Sequence, residues 1–231
     1  MTIGIDSSPF HRIRWSTDAI LRFVSGLDVS RVSLEIEHLP ALDRTYLCAL
    51  RGTMRSLGME PVLTWRPSGS LREKDSGTRD RDLLESLEAA VLVGASVLRI
   101  VDEGGVADAA LFASITPVAA RQGVTMALEN SARWTSADLL TLLDEAGSES
   151  LGVSFDIAAA LQAQEDVPAA VSGLGRWIRI VQATDRACLP VVVASLRGSG
   201  YSGSLMARID AEAPEDMIRE SVHHLKELAR G

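Results

Sequence analysis

The sequence predicts an α/β fold, a single compact (β/α)8 TIM barrel in which residues 1–231 form one domain. Short runs of β-forming residues recur eight times, helical patterns separate them, and a length of 231 residues lies at the compact end of this fold's size range. A doubly wound parallel sheet is the alternative. It would use fewer strands, so the regular spacing of eight runs favours the barrel.

The strand-like runs begin 26 to 29 residues apart, except for one step of 36 residues after the third run. In chain order they are IGID (3–6), VSLEIE (32–37), EPVLTW (60–65), SVLRIV (96–101), VTMALE (124–129), LGVSFD (151–156), WIRIVQ (177–182) and SLMARI (204–209). The long step contains RPSGSLREKDSGTRD (66–80), which is polar and rich in Gly and Ser. We expect a loop there, over one end of the barrel, where it could act as a lid.

Helical patterns lie between the runs. The clearest are RDLLESLEAAVLVG (81–94), TSADLLTLLDEAG (135–147) and the terminal PEDMIRESVHHLKELAR (214–230), where Pro214 suits the first helical turn. His223 and His224 belong to this last helix and are expected on its solvated face. The run GSGYSG (198–203) matches G-x-G-x-x-G, but it precedes a strand instead of following one, which predicts a tight turn and not a nucleotide site.

Composition narrows the classes of function. The formal charge of −8 and the pI near 5.1 disfavour a nucleic-acid-binding protein, which needs clustered Lys and Arg. The start MTIGIDSSPF does not resemble a signal peptide, and no apolar run approaches the roughly 18 residues of a membrane span. Cys48 and Cys188 belong to no Cys/His cluster and are expected to be plain thiols. We expect a cytoplasmic protein with a small-molecule ligand and neither a nucleic-acid nor a membrane partner.

The alternation of side chains indicates which groups face the barrel axis. In the fifth run the small Ala127 shares a face with Glu129, and in the sixth run Gly152 shares a face with Asp156. In the last run the polar face ends in a cation, Arg208. Two carboxylates should therefore converge from neighbouring strands.

Chemistry in this architecture occurs at the carboxyl-terminal ends of the strands. The polar groups at those positions are Asp6, Glu35, Glu37, Arg66, Arg99, Asp102, Glu129, Asn130, Asp156, Gln182, Asp185 and Arg208. His38 directly follows the second run, while Trp65 and Trp134 lie close after the third and fifth. Either tryptophan could stack on a sugar or pack at the end of the barrel.

Five runs also carry a resemblance to a known family: VGASVLRI (93–100), GVTMALEN (123–130), LGVSFD (151–156), IVQATD (180–185) and GYSGSLMARID (200–210). With these runs the chain resembles the xylose isomerase-like family of sugar isomerases and epimerases, which also contains lyases and endonuclease IV. The resemblance implies a TIM barrel whose divalent metal is held by Glu, Asp, His and Glu from strands 5 to 8. The endonuclease chemistry is disfavoured, because its histidine-rich three-metal cluster cannot be assembled from this chain's histidines.

This sequence matches the implied ligand set at Glu129 and Asp156 and departs from it at the other two positions. Gln182 stands in place of the histidine and Arg208 in place of the second glutamate, and a substrate-binding histidine is replaced by Ala159. A guanidinium cannot coordinate a metal, but its five donors can bridge two carboxylates. Two carboxylates with one guanidinium also have the same formal charge, −1, as three carboxylates with one dication. We predict that Arg208 replaces the metal and that the site uses no metal or other cofactor.

The first functional hypothesis is a metal-independent enzyme that isomerises, dehydrates or decarboxylates a keto sugar or a polyhydroxy acid. Glu129 would be the general base, Arg208 would stabilise an enediolate, and Asp156 would complete the catalytic set. A two-base epimerase is disfavoured, because one of the two glutamates is missing. The residues expected to bind substrate are Glu35, Glu37, His38, Arg66, Arg99, Gln182, Asp185 and Trp134.

Two alternatives stay open. The barrel could have lost catalysis and serve as a ligand-binding or partner subunit, as a homo-oligomer or paired with an active homologue, with Arg66, Arg99 and Arg208 anchoring an anion. It could also be a metal-dependent isomerase that recruits its ligands elsewhere, for example at His38 and Glu37.

Overall fold

Eight parallel strands close into a barrel in the computed structural model, which describes residues 1–68, 71, 75–102, 109–184, 187–209, 212–213 and 215–230. The strands are β1 (Thr2–Asp6), β2 (Arg31–Glu35), β3 (Glu60–Trp65), β4 (Val97–Ile100), β5 (Thr125–Glu129), β6 (Leu151–Asp156), β7 (Ile178–Ala183) and β8 (Ser204–Ala207). Each strand pairs with its neighbours in sequence, and β8 pairs with β1. The closed order confirms the predicted (β/α)8 barrel and excludes the doubly wound sheet.

Helices surround the barrel. They are α1 (Ser8–Arg12), α2 (Thr17–Ser25), α3 (Arg44–Ser56), α4 (Ser76–Val93), α5 (Ala109–Gln122), α6 (Ser136–Ala146), α7 (Ile157–Gln162), α8 (Val167–Leu174), α9 (Leu189–Gly198) and α10 (Glu215–Arg230), with 3-10 turns at Ile36–His38 and Gly175–Trp177. The three clearest helical patterns are confirmed as α4, α6 and α10. Helix α6 begins where it was expected, because Thr135 and Asp138 form a reciprocal capping box.

The structure corrects three predicted boundaries. Strand β2 ends at Glu35 and continues into a 3-10 turn, so Glu37 lies outside the strand. Strand β8 ends at Ala207, which places Arg208 one residue beyond it. The predicted loop 66–80 ends earlier, because the Asp75 side chain accepts a hydrogen bond from the Thr78 amide and starts α4 at residue 76.

Residues 69, 70 and 72–74 of this loop lie outside the described residues, so its closure as a lid stays a prediction. Leu71 between them is fully buried, and its amide donates to Asp102 Oδ2 at 3.2 Å. This one residue of the loop is therefore anchored at the end of β4.

The barrel interior contains an apolar layer between two polar ones. The apolar layer consists of Val62, Val97, Ala127, Ile180 and Met206. The polar layer at the carboxyl-terminal ends of the strands is called the barrel mouth here, and the opposite end is called the barrel base. The larger apolar core lies between the strands and the helices.

Three smaller predictions can be compared with this architecture. The run GSGYSG ends α9 and turns into β8, as expected. Cys48 and Cys188 are both free thiols. Within the part of the chain that the structure describes, none of the helices has the length and apolar character needed to cross a bilayer.

Candidate active site at the barrel mouth

The centre of the barrel mouth is a buried arginine, Arg99 of β4. Its partners in the strand register are Thr64 and Ala127, so its side chain points to the barrel axis as theirs do. The side chain has no exposed surface. It donates to Glu129 through Nε at 2.5 Å and Nη2 at 2.9 Å, and to Asp6 Oδ2 through Nη1 at 2.8 Å. One guanidinium therefore links β5 to β1 across the barrel.

Asp6 at the end of β1 is fully buried and receives donors from two directions. The Ser8 amide and hydroxyl donate to Oδ1 at 3.0 and 2.6 Å, while Arg99 donates to Oδ2. Burial by itself raises the pKa of Asp6, but the charges of Arg99 and Arg208 and the Ser8 hydrogen bonds outweigh it and lower the pKa to about 2. Burial by itself lowers the pKa of Arg99, but the charges of Glu129 and Asp6 outweigh it and raise that pKa.

Arg208 forms the second cation of the mouth. Its Nη1 donates to Asp156 Oδ2 at 2.8 Å and lies 3.9 Å from Glu129 Oε1, and its Nε lies 3.9 Å from Asp6 Oδ2. Its side chain keeps 24% of its surface exposed. Arg208 was predicted to bridge Glu129 and Asp156. It forms a hydrogen bond with Asp156 but lies farther from Glu129, whose nearest cation is Arg99.

Asp156 is fixed by its position at the end of β6. Its Oδ1 caps helix α7 by accepting from the amides of Ala158 and Ala159 at 2.8 and 3.2 Å. Asn130 holds the Asp156 backbone, because its Oδ1 accepts from the Asp156 amide and its Nδ2 donates to the Asp156 carbonyl. Only Oδ2 of Asp156 therefore faces the cations.

A cavity of about 500 Å³ opens above these groups. The predicted site residues that line it are Arg66, Glu129, Asp156 and Arg208. Asp102 and Asn130, which the sequence places among the polar strand ends without a role, also line it, and so does Arg133, which the sequence analysis did not single out. Arg133 lies in the segment between β5 and α6, four residues after the strand ends, and that position is the signal that could have identified it.

A second polar cluster lies on the β2–β3 side of the mouth. Glu35 accepts from Arg66 Nε at 2.8 Å and pairs with His38 Nε2 at 3.2 Å, and Glu37 accepts from the Arg66 amide at 2.7 Å. Burial raises the pKa of Glu37. His38 in turn stacks on His11, with ring centroids 4.5 Å apart.

Several predicted substrate-binding residues take other positions. Arg99 and Gln182 are fully buried and are not among the residues that line the cavity, so the structure places them beneath it. Both amide atoms of Gln182 lack a hydrogen-bond partner among the described residues. Trp134 packs against the large core and is not part of the cavity wall. Asp185 lies outside the described residues.

The donor set at the mouth does not fit a divalent metal. The Arg208 guanidinium bonds directly to Asp156 and lies within 4 Å of Glu129, so its charge occupies the space between the two acids that a metal would share. Gln182 offers only a neutral oxygen. Within the described parts of the chain, no three His, Cys, Asp or Glu side chains are grouped so that they could hold a metal ion. His38 pairs with Glu35, and Glu37 accepts from the Arg66 amide, so each of these two residues has a partner of its own.

Comparison with known proteins gives one family match. A family model described as "Xylose isomerase-like TIM barrel" matches residues 27–228. No curated protein sequence matches the chain at a significant level.

Solved structures share the whole fold at low sequence identity. A D-psicose 3-epimerase crystallised in the presence of D-fructose superposes with a TM-score of 0.85 at 13% identity, covering 100% of both chains. A 3-keto-D-glucoside 4-epimerase from E. coli gives a TM-score of 0.76 at 17% identity, covering 98% of this chain and 99% of the other. The probable 3-DHS dehydratase of petrobactin synthesis from Bacillus anthracis gives 0.78 at 12% identity, with 98% and 99% covered.

Proposed function

The chain belongs to the xylose isomerase-like TIM-barrel family, and from that premise we propose that it is a sugar-modifying enzyme that works without a bound metal. Its substrate is a keto sugar or a polyhydroxy acid, and its reaction moves a proton next to a carbonyl group. The similar solved structures, which include two epimerases and a dehydratase, support the reaction class. The observation that carries the proposal is Arg208, a partly exposed cation at the floor of a polar cavity.

Arg208 supplies the charge that an enediolate requires. A proton removed from the carbon beside a carbonyl leaves negative charge on the carbonyl oxygen, and a fixed cation in a partly buried site stabilises that charge strongly. Three carboxylates, those of Asp6, Glu129 and Asp156, lie within 4 Å of this guanidinium. They hold it in position before substrate binds, so little reorganisation is needed during the reaction.

Glu129 is the proposed proton acceptor. Its Oε2 accepts from Arg99 Nε and from the Ser154 hydroxyl, whereas its Oε1 accepts a single hydrogen bond, from Arg99 Nη2 at 2.9 Å. A carboxylate oxygen has two lone pairs, so Oε1 retains one for a substrate proton. Arg99 acts through Glu129 and Asp6 and is therefore a positioning residue, not a catalytic one.

One observation favours a second candidate, a barrel that binds a ligand without turnover. Both oxygens of Glu129 and both oxygens of Asp156 already accept hydrogen bonds from the protein. Carboxylates engaged in this way are expected in a site whose cations only neutralise Glu129 and Asp156 and take no part in catalysis. In that case the cavity would bind an anionic sugar derivative through Arg66 and Arg208.

Solvent exchange distinguishes the two candidates. The protein is incubated in D₂O with D-fructose, D-psicose, D-tagatose and a panel of sugar acids, and loss of the substrate C–H signal beside the carbonyl is followed by proton NMR. We expect exchange with at least one substrate, slowed about 100-fold or more by Glu129→Gln, the usual contribution of a general base. The exposed Glu88→Gln on α4 is the matched control and should leave the rate unchanged.

Absence of exchange with every compound would overturn the enzyme proposal. Saturable binding of a sugar acid that is lost in Arg208→Met would then establish the second candidate. Exchange that proceeds equally fast in Glu129→Gln would instead assign the base to another residue.

A further inference from the structure

A second cavity of about 480 Å³ opens at the barrel base, far from the candidate active site. Its wall includes Arg31 of β2, Arg176 and Arg179 beside β7, and the turn Ser199–Gly203 that precedes β8. The proposed catalytic groups all lie at the other end of the strands, so the proposed function leaves these residues without a role.

A break in strand pairing aims Arg179 into this cavity. Ser154 pairs with Ile180 while its neighbour Val153 pairs with Ile178, so β7 has one extra residue, Arg179, at this point. Such a bulge turns two successive side chains to the same side of a sheet. Ile180 belongs to the apolar layer of the interior, and Arg179 accordingly lies inside as well, below it.

The Arg179 side chain is held without a counter-charge. Its Nη1 donates to the Arg176 carbonyl at 2.8 Å and its Nη2 to the Glu149 carbonyl at 3.1 Å. Its stem runs against Gly152 of the neighbouring strand β6, where an added Cβ would lie 2.6 Å from Arg179 Cγ, so the glycine leaves space for it. Among the described residues no carboxylate pairs with this guanidinium, which keeps further N–H donors available.

Arg176 adds a second uncompensated cation. Its guanidinium lies 4.8 Å from the centre of the Trp177 ring, and it has no ion pair within the described residues. Arg31 contributes less, because Glu60 already neutralises it at 2.8 Å. The cavity wall therefore has two net positive charges in a protein whose formal charge is −8.

The rest of the wall suits an oxyanion. The turn Ser199–Gly203 supplies the hydroxyl of Ser202, whereas the Ser199 hydroxyl already donates to the Leu196 carbonyl at 2.8 Å. Gly200 in this turn adopts a φ of +74°, which brings the backbone close without a side chain. Guanidinium groups with hydroxyl donors are the usual partners of phosphate. The volume exceeds that of phosphate itself and falls in the range of small-molecule sites.

From these observations we propose that the cavity at the barrel base binds a phosphate monoester of a small polar molecule through Arg176 and Arg179. The site is separate from the barrel mouth. It does not depend on whether the mouth is catalytic.

Calorimetric titration of the full chain with glucose 6-phosphate and with inorganic phosphate tests the proposal at low ionic strength. We expect saturable binding, at least as tight for the sugar phosphate as for inorganic phosphate. Arg176→Gln and Arg179→Met should each raise Kd about tenfold, since each removes a charge-assisted contact. Because the Arg176 side chain is exposed, its variant should fold even if Arg179→Met does not.

Two controls locate the binding. Arg44→Gln, with the same charge change on an exposed residue at the start of α3, should leave Kd unchanged, and so should Arg208→Gln at the barrel mouth. The proposal is overturned by absence of binding up to about 10 mM, by binding of inorganic phosphate alone, or by equal affinity in Arg176→Gln. Loss of binding in Arg208→Gln would place the phosphate at the mouth and would also contradict it.

Discussion

Arg208 and Asp156 form an ion pair, with Nη1 2.8 Å from Oδ2, at the floor of the cavity in the barrel mouth. Behind this pair Arg99 connects Glu129 to Asp6. The mouth therefore contains three carboxylates and two guanidinium groups, a formal charge of −1. The sequence-based count reached the same sum from one guanidinium and two carboxylates. The structure shows a larger network with the same balance.

Arg99→Met tests how strongly the fold depends on this network. The substitution leaves Asp6 and Glu129 buried without their nearest cation, and breaking such a buried pair costs about 3–5 kcal/mol in the free energy of unfolding. Urea denaturation at pH 7 measures the loss. Arg133→Met, which removes an exposed arginine of the same cavity, should change stability by less than about 1 kcal/mol. Equal effects of the two variants would refute a structural role for Arg99.

Asp6 should make stability depend on pH in the acid range. Its pKa is 3.8 in an unperturbed chain and about 2 in the folded protein, so the folded state binds this proton less readily than the unfolded state. The associated stability, roughly 2 kcal/mol, is complete above about pH 4 and is lost as the pH falls to about 2.

Urea unfolding of wild type and Asp6→Asn between pH 5 and the acid limit of folding measures this contribution. The wild type should lose more stability on acidification than Asp6→Asn does. Asp144→Asn, on the exposed side of α6, is the control for removal of one carboxylate. If wild type and Asp6→Asn show the same slope, the pKa of Asp6 is not lowered.

The histidine pair at the mouth gives a prediction near neutral pH. Burial and the neighbouring His38 lower the pKa of His11 below 6.5, and Glu35 offsets this only in part. His11 therefore stabilises the fold above about pH 6.5, and this contribution decreases as the pH falls through its lowered pKa. In an NMR titration its ring signal should change at a pH below 6.5, and His38→Asn should move that change upward. A midpoint above 6.5 in wild type would show that burial and His38 do not lower the pKa of His11.

Periodicity was sufficient to predict the barrel and the direction of its main polar groups. Ala127 with Glu129 and Gly152 with Asp156 have the spacing of inward-facing positions, and the structure places all four there. The same alternation put Arg208 on the polar face of the last run, whereas its expected place between Glu129 and Asp156 came from the family resemblance. These features depend only on the two-residue repeat of a strand and on the order of strands around the barrel.

The partners of Arg99 could not be predicted in this way. The alternation of side chains along β4 indicates that Arg99 faces the barrel interior. However, β1 and β4 are not neighbouring strands, so only the closed barrel shows that one guanidinium reaches both Asp6 and Glu129. The bulge at Arg179 could not be predicted either. An extra residue in a strand changes which side of the sheet the side chains face, but it leaves no mark in the residue types. Both omissions concern distances across the barrel, which spacing along the chain does not determine.

We propose that guanidinium groups take the place of a metal in this member of the family, and a titration with Mn²⁺ tests this replacement. Calorimetry and elemental analysis are applied to the wild type and to the double variant Arg208→Glu, Gln182→His, which supplies the two ligands that the family resemblance implies. We predict no saturable binding by the wild type and stoichiometric binding by the double variant. Tight binding of Mn²⁺ by the wild type, abolished by Asp156→Asn, would contradict the claim.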